Sequence, residues 1–276
     1  LSLGWLRFTI ETDPVRLWVA PDSAAAQEKA FFDEKFGPFF RAEQAFLVND
    51  THKGAPVLSY ETLDWWFGVE DQIRRLKSSQ SGVTLDQVCF KPVEDACVVQ
   101  SVTGYFQGDF ANLSPSSWQD DLMDCVDNPT QCLPEFQQPL DPHLLFGGVN
   151  QSILDAQALV VTWVVKNHAE GTPELQRAMD FEDEMKNYLK LVQDDATARG
   201  LRLSFNTEVS LEQELNKSTN TDAKIVVVSY IIMFLYASLA LGSTTLTVRS
   251  VLRNPANALV QSKFMLGTVG ILIVLM

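Results

Sequence analysis

An uninterrupted run of uncharged residues near the end of the chain, Ile225–Val248, is the feature that most constrains the fold. It is 24 residues long, and only small hydroxyl side chains interrupt its apolar character towards its end. A helix of roughly 20 apolar residues crosses a bilayer core of about 30 Å, whereas buried helices of soluble proteins rarely reach this length without a polar face. The sequence therefore predicts a transmembrane helix over 221–248.

The charges after this run predict its orientation. From position 225 to the end the chain contains no acidic residue, and its only charged residues are basic: Arg249, Arg253 and Lys263. Short loops rich in Lys and Arg stay on the cytoplasmic side of a membrane. We therefore expect a cytoplasmic loop over 249–263, with residues 1–220 on the opposite face, in the lumen of an organelle or outside the cell.

A second apolar run, Phe264–Met276, follows that loop and stops at the end of the sequence. We interpret 264–276 as a truncated second transmembrane helix. The chain also starts without a methionine or a signal peptide. We therefore expect it to be a piece of a larger membrane protein, in which residues 1–220 form a luminal domain.

Four cysteines lie in two close pairs, Cys89 with Cys97 and Cys125 with Cys132. Four cysteines allow three connectivities, but the short spacings favour a bridge within each pair. None of the three histidines lies near a cysteine in the sequence, so the pattern does not indicate a metal site. Two structural disulfides agree with an oxidising compartment.

Glycosylation sequons give a further indication of that compartment. The acceptor pattern Asn-X-Ser/Thr is met at four positions, and the site at Asn112 is weakened by Pro115 after its serine. The four candidate acceptors are Asn49, Asn112, Asn150 and Asn216. Their glycosylation would place the domain on the same side of the membrane as the charge rule does.

Charge and motif content exclude several functions. Three of the 21 basic residues lie after position 225, so the preceding part carries 18 basic and 35 acidic residues, a net charge of −17. This balance argues against nucleic-acid binding and against docking on anionic lipid. The sequence contains no GxSxG, HExxH or P-loop motif. We interpret Asp120–Asp121 and Glu182–Glu184 as solvated surfaces, and we expect no catalytic residue, cofactor or metal.

Hydrophobic periodicity predicts an α+β domain. Strands are expected at Leu3–Thr12, Glu43–Val48, Ala158–Val165 and Leu201–Phe205. Helices are expected from about 22 to 36, at Thr62–Leu76, from 173 to about 199 and at Leu211–Asn216. The repeated order strand–helix–strand suggests a ferredoxin-like sandwich with helices on one face of an antiparallel sheet, in which roughly 50–157 is an insertion pinned by both disulfides.

Aromatic residues raise two further expectations. The phenylalanines of the first helix, around Phe32 and Phe36, are expected to dock on the sheet. The cluster Trp65–Phe67 is expected to belong to the core, as aromatic residues on amphipathic helices usually do. The segment Gly108–Cys132, which contains Trp118, is expected to be a loop or an irregular helix.

Five sequence blocks are more specific than the composition. They are FTIETDPVRLW at Phe8–Trp18, FFDEKFGPFFR at Phe31–Arg41, VCFKP at Val88–Pro92, SYIIMFLYASLALG at Ser229–Gly242 and GTVGILIVL at Gly267–Leu275. In this order they resemble the Niemann–Pick type C sterol transporters. The last two resemble the opening helices of that family's sterol-sensing domain. The resemblance implies a polytopic sterol transporter of the lysosome, or of the vacuole in a fungus, and we expect a fungal member. A Patched-like receptor that binds a secreted ligand is the alternative.

The resemblance also implies partners and sites. Members of this family receive sterol from a small soluble carrier that docks on two protruding luminal loops. Their counterparts here are Asn49–Tyr60 and Gly108–Asp121, both short, with Tyr60 and Trp118 as the aromatic residues assigned to docking. Four residues of the first sterol-sensing helix are candidates for a sterol groove: Ser229, Tyr230, Phe234 and Tyr236. Ordinary helix packing through small residues and hydroxyls is the alternative for these four.

Overall fold

A computed structural model describes residues 19–93, 95–169 and 171–240. The chain divides into two compact units, one formed by Val19–Glu212 and the other by Leu1–Trp18 with Gln213–Met276. Only Gln213–Ala240 of the second unit is described. The strand expected at Leu3–Thr12, the loop at 249–263 and the second apolar run all lie outside the described residues.

The first unit is a mixed helix and strand domain. Its helices are α1 (Ala24–Phe36), α2 (Tyr60–Arg75), α3 (Leu85–Val88), α4 (Trp118–Asp127), α5 (Pro142–Leu145) and α6 (Pro173–Ala198), and α7 (Glu208–Ala240) continues into the second unit. Its strands are β1 (Arg41–Asn49), β2 (Val99–Gln100), β3 (Phe146–Gly147), β4 (Ala158–Val165) and β5 (Leu201–Asn206). Short 3₁₀ turns lie at Val102–Phe106, Phe110–Asn112 and Ile153–Asp155.

Capping residues explain where the long helices begin and end. The Ser23 hydroxyl accepts a hydrogen bond from the Ala26 amide at 3.2 Å, and Ser59 does the same for the Thr62 amide of α2 at 3.0 Å. Thr172 caps α6, with Pro173 in its first turn. Such caps satisfy amides that lack a partner within the helix. The helices predicted around these signals are therefore confirmed to within a few residues.

The five described strands form one antiparallel sheet. Its order is β2-β4-β1-β5, and β3 pairs with the other end of β4. Alternate residues of β4, from Leu159 to Val165, are buried, and the residues between them are half-buried. Trp163 of β4 packs against Trp66 of α2 with ring centres 6.5 Å apart, and both rings are buried. The α+β class and the core assignment of Trp66 and Phe67 are confirmed.

Three expectations about helices were wrong. Helix α1 does not dock on the sheet: none of its residues is buried, and Phe36 is 76% exposed. The inner face of the sheet is already filled by α2 and α6, whose apolar residues form the core with it. The segment 108–132 contains a regular helix, α4, and the short helix predicted at Leu211–Asn216 is part of the long helix α7.

The predicted membrane span is only partly described. Residues 225–240 belong to α7, whereas 241–248 lie outside the described residues. Over the residues that are described, no helix contains an apolar stretch long enough to cross a membrane. The described part of the chain therefore does not confirm the span.

Candidate functional site

Both predicted disulfides are present, and they flank the second expected docking loop, Gly108–Asp121, in the sequence. Cys89 is bonded to Cys97 and Cys125 to Cys132, with Cα atoms 5.5 and 5.3 Å apart. The backbone of Cys89 also pairs with that of Val165, at the end of β4, in an isolated antiparallel β-bridge, and Cys125 lies in α4. The two cross-links therefore fix the segments on either side of Gly108–Asp121.

The first expected loop, Asn49–Tyr60, is closed by its own side chains and by the neighbouring backbone. The Asn49 carboxamide accepts from the Thr51 hydroxyl at 2.6 Å and donates to the Pro56 carbonyl at 2.8 Å. The Val57 amide donates to the Ala156 carbonyl at 2.8 Å. The loop is thus held against the segment that leads into β4.

The second expected loop, Gly108–Asp121, begins with a capped turn. The Asp109 carboxylate accepts from the Ala111 amide at 2.9 Å, and the Asn112 side chain donates to the Phe106 carbonyl at 3.0 Å. These bonds fix the 3₁₀ turn that carries Phe110. The loop ends where α4 starts, at Trp118.

The two loops meet through aromatic rings. The ring centre of Phe110 lies 6.5 Å from that of Tyr60 and 5.8 Å from that of Phe67. Phe110 is 42% exposed and Tyr60 is half-buried, whereas Phe67 belongs to the core beneath them. We name Tyr60, Phe67 and Phe110 the aromatic loop site. Phe110 was not among the predicted docking residues, although it is visible in the sequence as an aromatic residue of the second loop.

Trp118 does not belong to this site. It is only 7% exposed, and with Leu122 and Cys125 it forms the buried side of α4. Residues spaced by four and three positions lie on one side of a helix, so the indole packs into the core. Its assignment as an exposed docking residue is therefore corrected, and Phe110 provides the exposed ring of the second loop.

A buried carboxylate supports the second loop from within. Glu70 of α2 accepts hydrogen bonds from the Trp66 indole at 2.5 Å, from the Thr103 hydroxyl at 2.6 Å and from the Ser101 hydroxyl. Burial raises the pKa of Glu70, and the bonds from Ser101 and Thr103 oppose that shift. Because Ser101 and Thr103 begin the turn that leads to Phe110, Glu70 ties α2 to the base of the second loop.

A second buried cluster joins β1, α6 and the start of α7. The Arg41 guanidinium donates to both carboxylate oxygens of Glu182, at 2.8 Å for the Nη2–Oε2 pair. Glu182 also accepts from the Val209 amide, and Glu43 from the Glu208 amide, each at 3.2 Å. The two carboxyl groups thus accept from amides in the first turn of α7, which have no partner within the helix.

Glu182 was expected on a solvated surface, and this expectation was wrong because its side chain is fully buried against Arg41. Asp120, by contrast, is exposed as expected. Burial and the neighbouring Glu182 carboxylate raise the pKa of Glu43 to about 9. Arg41 and Glu43 lie on the same side of β1 as Ala45 and Leu47, which are buried. This two-residue alternation was the sequence signal that Arg41 and Glu43 face the core.

The remaining predicted residues are not brought together into one site. Asn112 and Asn150 are exposed and Asn49 is half-buried, while the side chain of Asn216 is not described. Ser229, Tyr230 and Tyr236 are exposed on α7, and the side chain of Phe234 is not described. Glycosylation and the sterol groove stay predictions. Among the described residues, no group of three or more acidic, histidine or cysteine side chains could hold a metal ion.

Comparisons with known proteins identify relatives along the chain. It is 35% identical over 99% of its length to the NPC intracellular cholesterol transporter 1 of Sus scrofa, and 30% identical over its full length to the NPC1-like intracellular cholesterol transporter 1 of Mus musculus. It is 29% identical to the NPC intracellular cholesterol transporter 1 homolog 1b of Drosophila melanogaster. The chain spans about a quarter of the length of these relatives (24%, 23% and 24%).

These relatives are animal proteins, so the fungal origin stays a prediction. They are named as transporters, in agreement with the prediction that the chain is not an enzyme. The family model of the NPC1 middle luminal domain matches residues 29–209, which include all five strands and both disulfides. The chain therefore belongs to the NPC1 middle luminal domain family.

Proposed function

We propose that this chain is the luminal docking domain of a membrane sterol transporter of the lysosome or vacuole, and that it receives a sterol-loaded soluble carrier. The cholesterol transporters to which it is similar support the transport part of the proposal. The aromatic loop site is the observation that carries the docking part. The remaining domains of the same transporter, which this chain does not contain, would move the sterol onwards.

The aromatic loop site has the properties of a protein-binding surface. Aromatic residues are enriched at the centres of interfaces, where they supply large contact areas at low entropic cost. Phe110 and Tyr60 come from two different loops, and Phe67 supports Phe110 from below. Hydrogen bonds that Asn49 and Asn112 donate, and one that Asp109 accepts, fix both loops. A partner would thus meet rings that are already ordered.

The luminal part of the chain also gives a reason for docking to depend on pH. It carries a net charge of −17 at neutral pH. Protonation of carboxylates in an acidic lumen reduces this charge, and it would weaken long-range repulsion of a carrier that is itself negatively charged. For such a carrier we therefore expect tighter binding near lysosomal pH than near neutral pH.

A binding measurement with residues 1–216 tests the proposal. We expect the sterol-loaded carrier to bind at acidic pH, and Phe110→Ala and Tyr60→Ala each to weaken its affinity about tenfold or more, the loss typical of a central interface aromatic. Phe36→Ala is the matched control, because Phe36 is also exposed but lies on α1, outside the site. No binding at any pH between lysosomal and neutral would refute docking. Binding of a secreted protein other than a sterol carrier would favour the Patched-like alternative.

We also infer that the sheet has ferredoxin-like topology. The order β2-β4-β1-β5 supports this inference, because β4 lies between β1 and β2, and β1 lies between β4 and β5. Helix α2 connects β1 to β2, and α6 connects β4 to β5. The first unit differs from the predicted one, which comprised the strand at Leu3–Thr12, the helix at about 22–36 and the strand at Glu43–Val48. Both α2 and β2 lie within the segment that was predicted as an insertion. Two such interleaved strand–helix–strand units are the defining feature of that fold. A high-resolution experimental structure in which β2 pairs elsewhere would contradict the inference.

A further inference from the structure

A groove runs between helices α2 and α6, on a different side of α2 from the aromatic loop site. Its volume is about 410 Å³. Its lining includes Trp65 and Gly68 from α2, Tyr188 and Leu191 from α6, and one carboxylate from each helix, Asp64 and Asp195. Leu191 is 69% exposed. The groove is thus an apolar surface open to solvent, with a negative charge on each wall.

One wall of the groove is held in a fixed geometry. The Trp65 indole donates to Asp195 Oδ2 at 2.6 Å, and the Arg199 Nε donates to the same oxygen at 3.2 Å. The guanidinium carbon of Arg199 also lies 5.6 Å from the centre of the Trp65 ring. The hydrogen bonds from Trp65 and Arg199 lower the pKa of Asp195. Its carboxylate therefore keeps its negative charge in an acidic compartment.

Gly68 leaves the floor of the groove open. It lies in the middle of α2, where glycine is less favourable than any residue except proline. Its φ is not positive, so its backbone does not require glycine. A Cβ at this position would meet no atom within 4 Å, so packing does not require glycine either. Because Gly68 has no side chain, the floor of the groove is deeper at this position.

We propose that this groove binds a protein segment that presents an apolar side chain next to a lysine or arginine. The apolar side chain enters over Gly68 between Trp65 and Leu191, and the basic group lies beside Asp64. Charge complementarity selects this occupant, because Asp64 is an exposed carboxylate of the apolar lining. Asp195 on the other wall is already paired with Arg199. The site is separate from the aromatic loop site, and it does not depend on the proposed docking of a sterol carrier.

Peptide binding to the whole chain tests the proposal. The ligand is a fluorescent helical peptide of about 12 residues, with leucines one turn apart and lysines beside them, the pattern of a helix that enters an apolar groove. We expect saturable binding. The same peptide with alanine in place of leucine, or with glutamate in place of lysine, should bind at least about tenfold more weakly, as expected when the anchor or the complementary charge is lost.

Variants of the groove separate binding from folding. Gly68→Ala should raise the thermal midpoint, because alanine favours helix, and yet weaken the peptide. Gly68→Leu should weaken it about tenfold or more by filling the floor. Leu191→Ala should weaken the peptide, whereas Leu144→Ala, which removes another exposed leucine outside the groove, should not. Asp64→Asn should also weaken peptide binding. The loss of affinity should be smaller at high salt than at low salt, because salt screens exposed charges.

Three results would overturn the proposal. The first is that the lysine–leucine peptide fails to bind the whole chain at low salt. The second is that it binds with equal affinity to the natural chain, to Gly68→Leu and to Leu191→Ala, which would place the contact on the general acidic surface. Self-association of the chain that is abolished by Gly68→Leu would also overturn it, because the occupant would then be a second copy.

Discussion

At the scale of single residues, the protonation of Glu43 has the clearest consequence. Glu182, Arg41 and Glu208 all act on it, and burial together with Glu182 raises its pKa to about 9, against roughly 4.3 in an unfolded chain. Between these two values the folded state keeps a proton that the unfolded state releases. The free energy of unfolding therefore falls as pH rises through this range.

The substitution Glu43→Gln removes this dependence because glutamine does not ionise. Near pH 3, which lies below both pKa values, both states hold the proton, and we expect the variant and the natural chain to be equally stable. By pH 7 the variant should be more stable by about 1 kcal/mol or more. Urea unfolding across this pH range checks the prediction, with the exposed Glu61→Gln as control. Parallel stability curves for Glu43→Gln and the natural chain would contradict it.

At the scale of elements, Glu70 couples α2 to the turn that carries the second loop. Thr103→Val removes one donor from its buried carboxylate, and an unsatisfied buried acceptor costs about 1–3 kcal/mol. Because the bond from Thr103 lowers the pKa of Glu70 and so favours its ionised form, the loss should grow as the pH rises. Hydrogen exchange should also become faster in the Phe110–Asn112 turn.

Calorimetry and hydrogen exchange measure these effects. Thr162→Val is the matched control, because Thr162 lies on the outward side of β4 and its hydroxyl accepts from the Gln44 side chain. Equal effects of the two substitutions on stability would show that Glu70 does not depend on Thr103. Faster exchange over the whole chain, and not in the turn, would show that the coupling is not local.

The same scale shows what the sequence can and cannot predict. Strands β1 and β4 were predictable because alternate residues face the core, and the ends of α1, α2 and α6 because Ser23, Ser59 and Thr172 are local caps. The burial of Glu182 was not predictable locally, because its partner Arg41 lies 141 positions away. Likewise, nothing within α1 reveals that other helices already cover the sheet.

At the scale of the whole molecule, the proposed function rests on the family match and on the aromatic loop site. The family match covers the first compact unit almost completely, from residue 29 to 209. The proposed function adds that Tyr60 and Phe110 present rings from two loops to a sterol carrier. The apolar run Ile225–Val248 first indicated a membrane protein. Its final eight residues lie outside the described residues, so the span stays a prediction from the sequence.

The most direct test of the central claim is the sterol content of the lysosome or vacuole in cells that lack the full-length protein. We expect sterol to accumulate there, the natural protein to clear it, and the Tyr60→Ala/Phe110→Ala double variant to reach the same organelle and leave most of the sterol in place. The Phe36→Ala variant should clear sterol normally. Full clearance by a correctly located double variant, or no accumulation in the deleted cells, would contradict the account.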